Sequence, residues 1–185
     1  MAHIDLPDDA PGITGPMRAY PDAAAHLNGL ADALLRGPSS LTPAERELIA
    51  AYVSHGNACY FCTHAHAATA RELYGAQCEV VDLTLRDADA APLSEKLRSL
   101  LAIADKVRRD GRLVSDADVT RARAAGADDQ AIHDTVLIAA AFCMFNRYVD
   151  GLATWTPTDP EIYDEMGDRI VAQGYLRPPG VAAPA

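Results

Sequence analysis

Two cysteines spaced by two residues, Cys59 and Cys62, are followed one helical turn later by His66 and preceded by an acid, Glu47, all within the stretch ELIAAYVSHGNACYFCTHAH. Together these residue types describe thiol redox chemistry. Thiolate is the reactive form of cysteine, so a working dithiol needs a base to take its proton and a group to orient that base. A Cys-x-x-Cys pair also holds two sulfurs close enough to cross-link with little backbone motion. Such a pair can reduce an acceptor, close to a disulfide and be reset by an external reductant.

On a helix of about 100° per residue, Cys59, Cys62 and His66 share one face, and His66 lies one turn beyond Cys62. Which sulfur attacks is left open by the spacing. The unpaired N–H groups and dipole of a helix start favour a thiolate at Cys59, whereas nearness to the base favours Cys62. Glu47 precedes Leu48 and Ile49. If its helix packs beside that of the dithiol, it can orient His66 or relay its proton, and burial would raise its pKa.

Plainer readings exist for each residue. Glu47 can be a solvated first-turn acid, and His66 an inert helix residue. The cysteines can be half of a zinc site completed by His66 with His64 or His55. His64, however, falls on another side of the helix and no second Cys-x-x-Cys exists, so no metal is assigned. Cys78 and Cys143 read as small core residues; His3, His26, His55 and His133 read as surface or loop positions. Asn146-Arg147 follows the apolar run Val136 to Phe145 and reads as that helix emerging into solvent. The sharper alternative pairs Arg147 with an acid at a subunit interface or near the site.

The elements that must position these residues read as helices throughout. Residues 1–20, with their prolines and glycines, read as an extended arm. A helix over 22–36 carries Leu27, Leu30, Leu34 and Leu35 at helical spacing and stops at Gly37-Pro38. Thr42-Pro43-Ala44-Glu45 is a capping box that opens the helix carrying Glu47, which runs to about Ser54. A second helix starts near Cys59 or Tyr60 and ends before Gly75. Residues 77–93 are irregular and lean to helix. Helices follow over 94–109, 115–124, 128–153 and 160–172; the apolar middle of the long one predicts a central place in the fold. The domain organisation is an arm over 1–20, one helical domain over 21–174 and a disordered tail over 175–185.

Bulk properties fit this picture. The chain has 185 residues, enough for one sizeable core, and half of them are apolar. A net charge of −10 offers no footprint for nucleic acid or an anionic membrane. The longest apolar run falls well short of the ~20 residues of a membrane span. No signal-peptide pattern opens the chain, and four cysteines do not make a disulfide scaffold, so the cytoplasm is the expected location. No Rossmann or P-loop glycine motif is present.

Glu47, eleven residues, Cys59-x-x-Cys62, three residues, His66 resembles the motif of the alkylhydroperoxidase D-like family of the carboxymuconolactone decarboxylase superfamily. The segments LTPAERELIAAYVS and FCMFNRYVDGLAT are similar to superfamily segments, and the likeness spans about residues 20–155. It implies an all-α bundle, a trimer or hexamer, and an antioxidant peroxidase. In the family the second motif cysteine, here Cys62, attacks the peroxide; the first, here Cys59, resolves it as a disulfide; the histidine and glutamate, here His66 and Glu47, form a proton relay. No bound cofactor is implied, only a small-molecule peroxide and an external dithiol reductant of the lipoyl type. One departure stands out: the relay histidine that precedes the second cysteine in well-understood members is Phe61 here. A disulfide reductase or redox sensor using the same dithiol, and a lactone enzyme of the decarboxylase branch with silent cysteines, are the alternatives; that branch lacks the cysteine pair.

Overall fold

Thr42 opens the helix that carries Glu47. Its hydroxyl accepts the Glu45 amide, Glu45 returns a bond to the Thr42 amide, and Pro43 fills the first turn. The computed structural model, which describes residues 2–176, is helical throughout, with no strand among the described residues. The helices are α1 (Thr14–Ala19), α2 (Pro21–Leu35), α3 (Pro43–Gly56), α4 (Tyr60–Tyr74), α5 (Glu79–Arg86), α6 (Glu95–Arg109), α7 (Asp116–Ala124), α8 (Asp129–Gly151) and α9 (Pro160–Gln173). Single 3-10 turns lie at Gly75–Gln77 and Gly111–Leu113. No helix among the described residues is long and apolar enough to cross a membrane.

α3 and α4 pack along each other, α9 covers α4, and α6 and α8 close the other side of α3. α3 is buried on nearly every side: Leu48, Ile49, Ala50, Ala51 and Val53 are all closed to solvent, and Leu35, Leu100, Ile103, Ile138 and Phe142 pack in the same core. Each such large side chain contributes about 2 kcal/mol, which suffices to carry a polar residue such as Glu47 inside with them. A smaller cluster of Cys59, Phe61, Cys62, Ala65, Ala68, Val149 and Tyr163 lies between α4, α8 and α9.

Several expectations are corrected. The stretch 1–20 is not simply an extended arm: it includes α1, and residues before it are laid onto the body, with His3 N–H on the Leu152 carbonyl and Gly12 N–H on that of Trp155, both at 2.8 Å. α8 is not sealed all round, because Leu137, Ala140 and Met144 form an exposed strip. Asn146 does not emerge into solvent but is buried, 1% exposed, whereas Arg147 is exposed and donates to the Cys143 carbonyl of its own helix. Cys78 and Cys143 are only partly buried. The tail does not begin at 175: Tyr175 is packed, and 177–185 lie outside the described residues.

Candidate active site

Glu47 and His66 meet where α3 crosses α4. Glu47 is fully buried, and its Oε2 lies 2.7 Å from His66 Nδ1. Its other oxygen, Oε1, holds Arg36 Nη2 at 2.7 Å and accepts the Tyr175 hydroxyl at 2.7 Å. Arg36 ends α2. Arg46, buried on α3, fixes that end by donating to the Leu34 and Gly37 carbonyls. Tyr175 arrives from beyond α9, its ring nearly parallel to the His66 imidazole and beneath the Arg36 guanidinium.

The expected rise of the Glu47 pKa is not what these partners produce. Burial pushes the carboxyl up, but the charge and hydrogen bond of His66, the charge of Arg36 and the hydrogen bond from Tyr175 outweigh it and hold it below its ordinary value. Glu47 is therefore a carboxylate and only accepts. His66 therefore donates to it through Nδ1–H, and Nε2 is the ring nitrogen that Glu47 does not engage. The ring is further fixed edge-on against Phe142, with centroids 4.5 Å apart. Burial, and then the Glu47 charge, keep the Tyr175 phenol protonated far above the usual range.

The dithiol sits at the start of α4. Ala58 takes a left-handed conformation (φ 59°) to turn the chain out of α3, and the Cys59 amide bonds back to the Ser54 carbonyl at 3.1 Å. Asn146 supports this turn from α8: it donates to Ser54 Oγ at 3.0 Å and accepts from Asn57 Nδ2 at 2.9 Å. Cys59 is the N-cap of α4 and wholly buried; Cys62 is 4% exposed; both are free thiols. The neighbouring Cys62 thiol, and then burial, push the Cys59 thiol up.

A cavity of about 660 Å³ opens beside His66, within the range of small-molecule sites. Its walls are largely apolar, with Ile13, Met17, Phe61 and Met166 among them, and its polar members include His66, Tyr175, Arg18 and Arg169. Neither cysteine lines it. Phe61, 4% exposed, stands between the N-terminal arm and the sulfur cluster, with the Gly12 backbone flat against its ring. His64 stacks on Tyr60, its ring centroid 3.8 Å away, and bonds the Tyr60 carbonyl, apart from the Glu47 network. No group of three or more His, Cys, Asp or Glu among the described residues could hold a metal ion, so the zinc arrangement finds no donor set. Arg36, Tyr175 and Asn146 were not singled out as site residues by the sequence; the one signal for Tyr175 is the Gly174 that ends α9 just before it.

Fold and site together define an all-helical protein with a buried dithiol beside a carboxylate–histidine pair. Residues 21–106 match the model of the carboxymuconolactone decarboxylase family. An uncharacterized peroxidase-related protein from Silicibacter sp. aligns at 28% identity over 81% of this chain and 78% of its own, with a TM-score of 0.73. A Ralstonia eutropha protein described as an alkylhydroperoxidase AhpD core aligns at 27% over 85% and 81%, with a TM-score of 0.75. A protein of unknown function from Agrobacterium tumefaciens, provisionally assigned to antioxidant defence, shares the fold at 21% identity over 80% and 99%, with a TM-score of 0.68. No curated protein matches the chain. Over residues 21–106 the chain is thus similar to the carboxymuconolactone decarboxylase family, and it shares its helical fold with these peroxidase-related and AhpD-like proteins.

Proposed function

We propose that the protein is a thiol-dependent hydroperoxide reductase in which Cys62 attacks and Cys59 resolves. The observation that carries this reading is the arrangement on α4: Cys59 and Cys62 are buried free thiols at its start, and one turn along the same helix His66 has Nδ1 committed to an ionised Glu47. His66 Nε2 takes the Cys62 proton. The thiolate attacks the nearer peroxide oxygen, the O–O bond breaks, and the proton returns to the leaving alkoxide, giving Cys62 sulfenic acid and an alcohol. The Cys59 thiol then displaces water from the sulfenic acid to close the disulfide, and an external dithiol of the lipoyl type reopens it by exchange. Glu47 acts here as the fixed orienter of His66, not as a proton carrier.

The apolar cavity beside His66 favours an organic hydroperoxide over hydrogen peroxide. The burial of both sulfurs disfavours a protein disulfide as substrate. Self-association into a trimer or hexamer belongs to the same proposal, supported by the exposed Leu137 and Met144 two turns apart on α8. The test is stoichiometric: one equivalent of an alkyl hydroperoxide should convert two free thiols into one Cys59–Cys62 disulfide, read by peptide mass spectrometry, and dithiol-driven peroxide consumption should vanish in Cys62→Ser. Full consumption by that variant would overturn the reading.

A further inference from the structure

A carboxylate bonded to an arginine and a histidine has a competing arrangement open to it. Guanidinium groups prefer to take both oxygens of a carboxylate in a fork, and Arg36 in that pose would draw Oε2 of Glu47 away from His66. The structure shows the other arrangement, with Arg36 and the Tyr175 hydroxyl sharing Oε1 and His66 alone on Oε2. The chain after α9 is built to deliver that hydroxyl. Gly174 turns it with φ +69°, where a side chain is strained, and a Cβ there would stand 3.1 Å from Asp32 Oδ1. The same Asp32 oxygen accepts the Tyr175 amide at 3.2 Å, so α2 holds both the strap and, one turn later, Arg36. The Tyr175 ring lies 5.2 Å from the Arg36 guanidinium carbon, and its hydroxyl also comes within 3.3 Å of His66 Nδ1.

We propose that Tyr175 is a positioning residue of the site: its hydroxyl occupies Glu47 Oε1, keeps Oε2 for the Nδ1–H of His66, and so leaves His66 Nε2 as the base for Cys62. This rests on the reading that His66 serves Cys62, but not on the acceptor being a peroxide. The bond is one to a charged group, and losing such a bond slows the step it supports by about tenfold or more.

The experiment uses full-length Tyr175→Phe and Tyr175→Leu beside wild type. Three quantities are read: the pH profile of Cys62 alkylation, resolved from the other cysteines by peptide mass spectrometry; the ¹⁵N signature of the His66 tautomer; and organic hydroperoxide turnover. Tyr175→Phe keeps the ring, so it should fold, with a melting temperature lowered by a few degrees for the lost bond to Glu47. It should lose the single Nδ1–H tautomer, show a displaced alkylation profile and alkylate about tenfold more slowly near neutral pH. If Tyr175→Phe matches wild type in tautomer and profile and only Tyr175→Leu is impaired, the ring merely packs and the proposal falls. If no form turns over peroxide but Tyr175→Phe still shifts the tautomer and the profile, the positioning role stands and the peroxidase reading falls.

Discussion

Arg36 and Glu47 form an ion pair at 2.7 Å in which the carboxylate is wholly shielded and the guanidinium nearly so. Removing the arginine leaves Glu47 with His66 and Tyr175 only. Breaking a buried pair from one side costs about 3–5 kcal/mol, and the residual exposure of Arg36 puts Arg36→Met near the lower end. The pH dependence has a definite sign. The Glu47 pKa is lowered on folding from its ordinary 4.5, so its contribution is present above that value and lost as pH falls through the folded value. The stability gap between wild type and Arg36→Met should therefore be full at neutral pH and close as pH falls below 4.5 and through the lowered folded value. Urea melts at pH 7, 5 and 4 check this; a gap independent of pH would show that the pair is not what Arg36 contributes.

Asn146 tests how the dithiol is held. Its side chain is buried and satisfies both Ser54 Oγ and Asn57 Nδ2, the residues that flank the strained turn at Ala58. Asn146→Ala leaves the buried Ser54 Oγ unpaired and takes from Asn57 Nδ2 one of its two partners, the other being Cys143 Sγ at 3.4 Å, which costs about 1–3 kcal/mol. The Cys59 amide, bonded to the Ser54 carbonyl, should exchange with solvent faster by more than the global loss of stability accounts for. Equal loss of protection across α3 and α4 would mean that Asn146 stabilises the fold without holding the turn.

Gly12 tests access to the sulfurs. A Cβ at this position would meet the Phe61 ring at 2.2 Å, and the residue has φ +54°, so alanine is strained on both counts. Gly12→Ala must lift the N-terminal arm from Phe61, at about 1–3 kcal/mol. Because Ile13 and Phe61 pack on the Cys59–Cys62 cluster, lifting the arm should speed alkylation of Cys62 several-fold at a temperature where both proteins remain folded. An unchanged rate would place the path to Cys62 elsewhere.

The fold was legible where the signal was local. Thr42 and Glu45 cap α3 as the capping box indicated, and the helix expected over 94–109 is α6. The meeting of Glu47 and His66 was legible too, because each lies on an apolar helix face and the two helices are neighbours in sequence. What was not legible depends on the far side of Glu47. Arg36 comes from the end of α2, and Tyr175 returns across 128 residues of chain. The expectation of a raised pKa weighed burial alone; His66 first, and then Arg36 and Tyr175, turn it the other way. Asn146 looked like a helix end because polar residues after an apolar run usually are; its partners Asn57 and Ser54 lie on another helix and its cap.

Phe61 takes the position at which well-understood relatives carry a relay histidine, and the simplest expectation is that restoring histidine restores full activity. The structure argues for the opposite outcome. Phe61 is 4% exposed, pressed between Gly12 and Tyr163, whose hydroxyl is already committed to the Pro157 carbonyl. An imidazole in Phe61→His would be buried there among Gly12, Ile13 and Tyr163, and an unpaired buried polar group costs about 1–3 kcal/mol. Burial depresses the pKa of such a histidine below its unfolded value of about 6.5. The unfolded chain then binds the proton first, so the variant should lose further stability as pH falls below that value. Peroxide turnover should not rise, because Glu47 is already bonded on both oxygens by Arg36, Tyr175 and His66 and has no place for a fourth partner. Melting temperatures at pH 8 and pH 5.5, together with turnover of an organic hydroperoxide, check both halves. A tenfold gain in turnover without loss of stability would show that position 61, and not the support of Glu47, limits this site.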